Sequence, residues 1–234
     1  MERYKRVLIK LSGEALSGEK NTGFDDDVCL AVARQIKTIV DAGTEVAIVI
    51  GGGNFWRGRS NDSIDRYKAD QIGILATIMN CIYVSDMFRS IGMKTAIYTP
   101  FECGDMSELF SKDKVVKALK KGRVVFLAGG TGHPYFSTDT ATALRAIELD
   151  CDIIMMAKSV DGVYSADPRK DPNAVKYDTI SLDELVSKGL QVIDSTASAL
   201  CRDNHMPLLI FSLNEENSII ANASGRCSGT IVTN

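Results

Sequence analysis

The sequence predicts an α/β fold, a three-layer αβα sandwich with helices on both faces of a central, mostly parallel sheet. Three observations predict it. Short apolar, β-branched runs alternate with longer stretches of helical periodicity, the strand–helix–strand unit of a parallel sheet. Several of those runs pass straight into glycine or small polar residues. The 234 residues are 45% hydrophobic and 24% charged, ordinary for a globular protein, with no linker, repeat or low-complexity tract. One domain over residues 1–234 is therefore expected.

Arg6–Leu11 (RVLIKL) reads as the first strand, followed at once by Ser12, Gly13 and Glu14. Lys10 has two readings: a cation beside a bound anion, or a solvent-facing residue of an edge strand. Ala15–Thr22 is small and polar, a loop. Asp25, Asp26 and Asp27 then suit a helix N-terminus, and the helix runs to about Ala42. Val32, Ile36, Ile39 and Val40 form its buried face, and Gly43 stops it.

Val46–Ile50 is a strand buried on both faces, and it enters Gly51, Gly52 and Gly53. Three glycines remove every side chain there, so backbone N–H groups can approach a ligand. With Arg57 close behind, that exit suits a phosphate; a tight turn is the plain alternative. Ser60–Tyr67 is polar and reads as loop, and a long helix runs from about Ala69 to Ser90. Ile72, Leu75, Met79 and Ile82 make one stripe, widened by Ile74, Ile78 and Tyr83, so this helix is central or packs on another subunit. Asp70 is either a carboxylate favoured by the helix dipole or an acceptor for ligand hydroxyls such as a ribose.

Lys94–Tyr98 is a strand ended by Pro100, Phe101–Phe110 is irregular, and Asp113–Lys121 is a short helix. Arg123–Ala128 is a strand running into Gly129, Gly130, Thr131, Gly132, His133 and Pro134. Ser137, Thr138 and Asp139 open a helix through about Leu149. They can hold an anion at the helix N-terminus or serve as a plain cap. Asp152–Ala157 is a strand, and the turn-rich Lys158–Pro168 lies where open α/β sheets bind ligands. Helices over Ser181–Lys188, Asp194–Asn204 and Asn214–Ala223, with strands at Pro207–Phe211 and Gly229–Val232, complete the chain.

The net charge of −3 offers no basic field for nucleic acid. The N-terminal stretch is not a signal peptide, and no apolar run approaches the ~18 residues of a membrane helix. Six scattered cysteines with no CxxC, and two histidines, argue against zinc and for reduced thiols in the cytoplasm. The phosphate loop G-x-x-x-x-G-K-[ST] is absent, as are a dinucleotide-binding G-x-G-x-x-G after a strand and a hydrolase G-x-S-x-G. What remains is three glycine-rich turns, Lys10, Lys158, Arg57 and several carboxylates. That set suits phosphoryl transfer, which needs positioning and positive charge but no protein nucleophile.

The segments KLSGE (Lys10–Glu14), IGGGNFWRG (Ile50–Gly58), GTGHPYFSTD (Gly130–Asp139) and KSVDGVYSADP (Lys158–Pro168) resemble the amino-acid-kinase family, in order and over essentially the whole chain. Within it the chain is similar to the bacterial branch that acts on UMP. The resemblance implies transfer of the γ-phosphoryl group of ATP to UMP, giving UDP, with Mg²⁺ carried by ATP and no protein-held metal. It implies Lys10 and Asp139 as the catalytic pair, Lys10 on the transferring group and Asp139 organising it. ATP phosphates would meet Lys10, Leu11, Ser12, Gly13, Gly53 and Arg57. Lys158 (or Ser159 beside it), Tyr164 and Asp167 would hold the ATP nucleoside. UMP would meet Gly52, Asp70 through its ribose, and the run Thr131, Gly132, His133, Pro134, Tyr135, Phe136, Ser137 and Thr138. A homohexamer with the Ala69–Ser90 helix at an interface, activation by GTP through the loop Gly18–Phe24, and inhibition by UTP complete the implied picture.

Overall fold

The computed structural model describes residues 4–20, 22–56, 63–190 and 192–233. Its strands are β1 (Arg6–Leu11), β2 (Glu45–Ile50), β3 (Thr95–Thr99), β4 (Glu108–Leu109), β5 (Val124–Leu127), β6 (Ile153–Lys158), β7 (Val163–Tyr164), β8 (Lys176–Tyr177), β9 (Thr179–Ser181), β10 (Leu208–Ser212) and β11 (Thr230–Thr233). Nine of them form one sheet in the order β4-β3-β5-β2-β1-β6-β10-β11-β9, and β7 and β8 make a separate antiparallel hairpin. Among the described residues of the large sheet, β10 and β11 alone pair antiparallel, so the sheet is mostly parallel.

β1 is the middle of this arrangement. It pairs with β2 on one side and β6 on the other, with Lys10 opposite Val49 and Met156. The carboxyl ends of β1, β2 and β6 therefore lie level. The chain leaves β1 toward β2 and later returns to its other side at β6, so a crevice opens at those ends.

The helices are α1 (Gly13–Leu16), α2 (Asp26–Asp41), α3 (Arg66–Ser90), α4 (Lys112–Leu119), α5 (Thr138–Glu148), α6 (Leu182–Ser187), α7 (Ser195–Asp203) and α8 (Ser218–Ala223). The strands' alternation splits the core into two. Val7, Ile9, Ile48, Ile50 and Phe211 pack with residues of α2, α3 and α8. Leu8, Ala47, Val49, Ile154 and Ile210 pack with residues of α4, α5, α6 and α7. Phe88 of α3 meets Phe126 of β5 edge to face at 5.3 Å, each ring contributing about 1.5–3 kcal/mol by burial.

Four stretches differ from the sequence reading. The expected loop over 15–22 holds the end of α1 and a 3-10 turn at Gly18–Lys20. α3 begins at Arg66, earlier than expected, because the Asp65 carboxylate accepts the Lys68 N–H at 3.2 Å and caps it. The irregular run after β3 contains β4, and the turn-rich run after β6 contains β7. Two-residue strands carry no periodicity to read. α3 is also long and apolar enough, by length and composition alone, to cross a membrane. Its core-facing side packs Ile78, Cys81, Val84 and Phe88 beneath the sheet, while Leu75, Met79 and Ile82 are exposed.

All six cysteines are free thiols. Burial pushes Cys29, Cys81, Cys151 and Cys201 up to about 12, whereas an unfolded thiol ionises near ~8.5. Above that value the unfolded chain sheds protons that the native state keeps, so stability is whole below about pH 8.5 and declines toward pH 12. Urea midpoints measured from pH 8 to 11 are expected to fall, and Cys201→Ala to shallow the fall. An unchanged slope in that variant would contradict the assignment.

Candidate active site

Lys10 shares the face of β1 that carries Leu8, toward α5. It is 9% exposed and sits on a strand paired on both sides, so it is no edge residue. Its Nζ lies 3.1 Å from Asp139 Oδ1 in the first turn of α5. Lys158, the last residue of β6, places its Nζ 3.9 Å from Asp139 Oδ2. One carboxylate thus lies between two ammonium groups. Burial pulls the Lys158 pKa below the ordinary lysine value, and Lys10's charge pulls the same way, while Asp139 and Asp194 oppose both.

The glycine turn after β2 approaches this cluster. Gly51 N–H donates to Leu11 O at 3.0 Å, binding the β2 exit to the β1 exit. A Cβ on Gly51 would lie 3.6 Å from Thr138 Oγ1, so the start of α5 meets the same point. Ser137 caps α5, accepting from the N–H groups of Asp139 at 3.0 Å and Thr140 at 3.1 Å.

A pocket adjoins the cluster. Gly52, Asp70, Thr131, His133, Phe136, Ser137 and Thr138 line it, with Trp56, Gly73 and Thr77 among its walls. The Asp70 carboxylate accepts from Arg66 Nε at 2.9 Å and from the Tyr135 N–H at 2.8 Å. It therefore bridges α3 to the turn after β5, more than a dipole-favoured residue does. That turn needs left-handed backbone at Gly129 (φ 79°) and Gly132 (φ 83°), where a Cβ would crowd Pro100.

Other expected site residues stand differently. Leu11 is wholly buried in the core and Gly132 faces Pro100, which leaves only their backbones. The Tyr135 ring is exposed. Pro134 lies in the same turn but does not line the pocket. Ser12 and Gly53 are partly buried at the two strand exits. Tyr164 and Asp167 belong to the segment of the β7–β8 hairpin that follows Lys158. Tyr164 donates its hydroxyl to Asp161 at 2.7 Å, and Arg169 Nε donates to Asp167 at 3.0 Å. Arg57 lies outside the described residues.

Asp194 escaped the sequence reading. It caps α7, accepting from the N–H groups of Thr196 at 2.9 Å and Ala197 at 3.0 Å. It also accepts the hydroxyls of Ser137 and Thr140, so it braces the start of α5 where Asp139 sits. Burial pushes its pKa up, but these hydrogen bonds together hold it below the ordinary carboxylate value. The sequence marks residue 194 only as the start of a helix, since its partners at the start of α5 are 54 and 57 residues away.

Among the described residues no three His, Cys, Asp or Glu side chains gather to hold a metal ion. A divalent cation carried by a polyphosphate needs only one or two carboxylates from the protein. Asp139 is the carboxylate of this cluster, and its Oδ1 is already ion-paired with Lys10 Nζ at 3.1 Å, so a cation carried by a polyphosphate would have to share it.

A model of the amino acid kinase family matches residues 5–212. The chain belongs to the amino acid kinase family. Among solved structures, this family member is similar to the UMP kinase of Bacillus anthracis, with 36% identity and a TM-score of 0.95, over 99% of this chain and 97% of that one. It is also similar to the UMP kinase of Ureaplasma parvum, with 35% identity and a TM-score of 0.94, over 99% of this chain and 100% of that one. Two lysines and the backbone N–H groups of a glycine turn can stabilise charge on a transferring phosphoryl group, with no nucleophile from the protein.

Proposed function

We propose that this kinase transfers the γ-phosphoryl group of ATP to UMP, giving UDP and ADP, and so feeds pyrimidine nucleotide synthesis. The observation that carries the reading is contiguity. Thr138 of the pocket and Asp139 of the lysine cluster are neighbours in the first turn of α5. Two relatives described as UMP kinases, matched over nearly their whole length, supply the acceptor.

In this reading a phosphate oxygen of UMP attacks the γ-phosphorus, and the bond to the bridging oxygen of ADP breaks. Lys10 faces the charge that spreads over the equatorial oxygens, and Lys158 faces the donor. Asp139 orients both lysines. The turns at Ser12–Gly13 and Gly52–Gly53 offer backbone N–H groups to the phosphates. Asp70 accepts from the UMP ribose. Mg²⁺ carried by ATP would neutralise phosphate charge, while Asp139 stays paired with Lys10.

Residues 1–234 act as one domain in this reading. The exposed Leu75, Met79 and Ile82 of α3 support a homohexamer, since such a stripe favours burial against another copy. Free thiols throughout suit the cytoplasm. GTP activation and UTP inhibition come with the resemblance, and the contact of Phe24 with Tyr83 on α3 supports a role for the loop Gly18–Phe24.

The test is a coupled assay of ADP release with MgATP, offering UMP, CMP, carbamate or acetylglutamate. Turnover with UMP is expected. Turnover only with a small acid would keep the fold and overturn the acceptor. Nucleotide binding without turnover would make the chain a sensor.

A further inference from the structure

A buried amide pair lies behind the two phosphate-facing turns. Asn80 of α3 is wholly buried and Asn54, just past the glycines, is 2% exposed. Asn80 Nδ2 donates to Gly51 O at 2.7 Å and to Asn54 Oδ1 at 2.8 Å. Asn54 Nδ2 donates to Asn80 Oδ1 at 3.0 Å and to Gly23 O at 2.8 Å. Both protons of each amide are used, so the pair is closed. Truncating either member strands buried polar groups of the other.

The pair also sets a spacing. A Cβ on Gly13 would overlap Asn54 Oδ1 and Gly51 O, with Asn80 Nδ2 at 3.0 Å. The turn after β1 is thus packed directly on the amides that hold the turn after β2. Thr22 Oγ1 donates to Asn54 O at 2.9 Å, and the Phe24 ring stacks on Tyr83 of α3 at 3.8 Å. The strap over 22–24 closes the arrangement from outside. A core needing only stability would fill this place with apolar side chains. Hydrogen-bonded amides fix direction as well as distance.

We infer that Asn80 and Asn54 are positioning residues for phosphoryl transfer: together they hold the turns at Gly13 and Gly51 at one separation, which sets how well backbone N–H groups meet the transferring group. This rests on the function proposed above. Neither Asn lines the pocket, so the pair's effect falls on kcat more than on substrate affinity.

The test compares the full-length wild type with Asn80→Ala, Asn54→Ala, the double variant, and Ser85→Ala. Ser85 is a control: it is buried on the same helix, bonds Thr95 Oγ1 at 2.8 Å and touches neither turn. Each Asn variant is expected to lose about tenfold or more in kcat with both KM values within about threefold, and the double to lose little beyond the worse single. Ser85→Ala is expected to lower Tm and leave kcat within about twofold. Amide hydrogen exchange of the nucleotide-free protein is expected to quicken at residues 12–14 and 51–54 in Asn80→Ala, and not in β5. Unchanged kcat, or a loss in Ser85→Ala equal to that in Asn80→Ala, would overturn the inference. Unchanged exchange at both turns would also overturn it. Should Asn80→Ala not fold, Asn54→Ala carries the same expectations. If the wild type does not phosphorylate UMP, the function reading fails, and the exchange experiment still decides on the pair.

Discussion

Lys10→Ala is expected to lower kcat with UMP by about 10³-fold, the usual scale for removing a cation that meets a transferring phosphoryl group. UMP binding, followed by calorimetry without ATP, is expected to stay within about threefold, because uniform binding is not what Lys10 supplies. The geometry makes this sharp. Lys10 does not line the acceptor pocket, and its nearest charged partner is Asp139 at 3.1 Å. Its loss leaves Asp139 with Lys158 at 3.9 Å, too long to stand in. Lys10→Arg is expected to recover little, since a guanidinium is larger and planar and the site is 9% exposed on a central strand. Equal loss of UMP affinity and turnover would contradict the role.

The layout of this site was legible where a strand's sequence shows its end. RVLIKLSG, VAIVIGGG and RVVFLAGG each join an apolar run to small residues, and the strands β1, β2 and β5 stop there. Pairing order was not legible. That β1 lies between β2 and β6 is a long-range fact, and it alone turns Lys10 from a possible edge residue into a buried cation. Asp70 was legible as a helix carboxylate, but its bond to the Tyr135 N–H spans 65 residues. Asp194 and Asn80 were silent for the same reason. One stands at the start of a helix and the other inside an apolar one, and their partners come from distant segments. Local chemistry is written in neighbours along the chain; the bracing of a site is written in which strands adjoin.

Asp139→Asn separates charge from shape at the centre of the cluster. The substitution keeps the side chain's size and leaves the cap from Ser137 to the N–H of residue 139 in place, so α5 is expected to start unchanged. What disappears is the anion between Lys10 and Lys158. Turnover is expected to fall by about 10²-fold, as two repelling lysines lose their common orienting partner. The pH profile carries the stronger test. In the wild type burial and Lys10 pull the Lys158 pKa down, while Asp139 and Asp194 pull it up. Without Asp139 the downward causes prevail further, and Lys158 loses its proton at lower pH than before. If its charge serves the reaction, the alkaline limb of kcat moves to lower pH in Asp139→Asn. Raising the salt concentration is expected to restore the limb only slightly, because the remaining Lys10–Lys158 repulsion acts between partly buried groups. A profile merely scaled down, with its alkaline limb in place, would mean that Asp139 orients the lysines without keeping Lys158 charged.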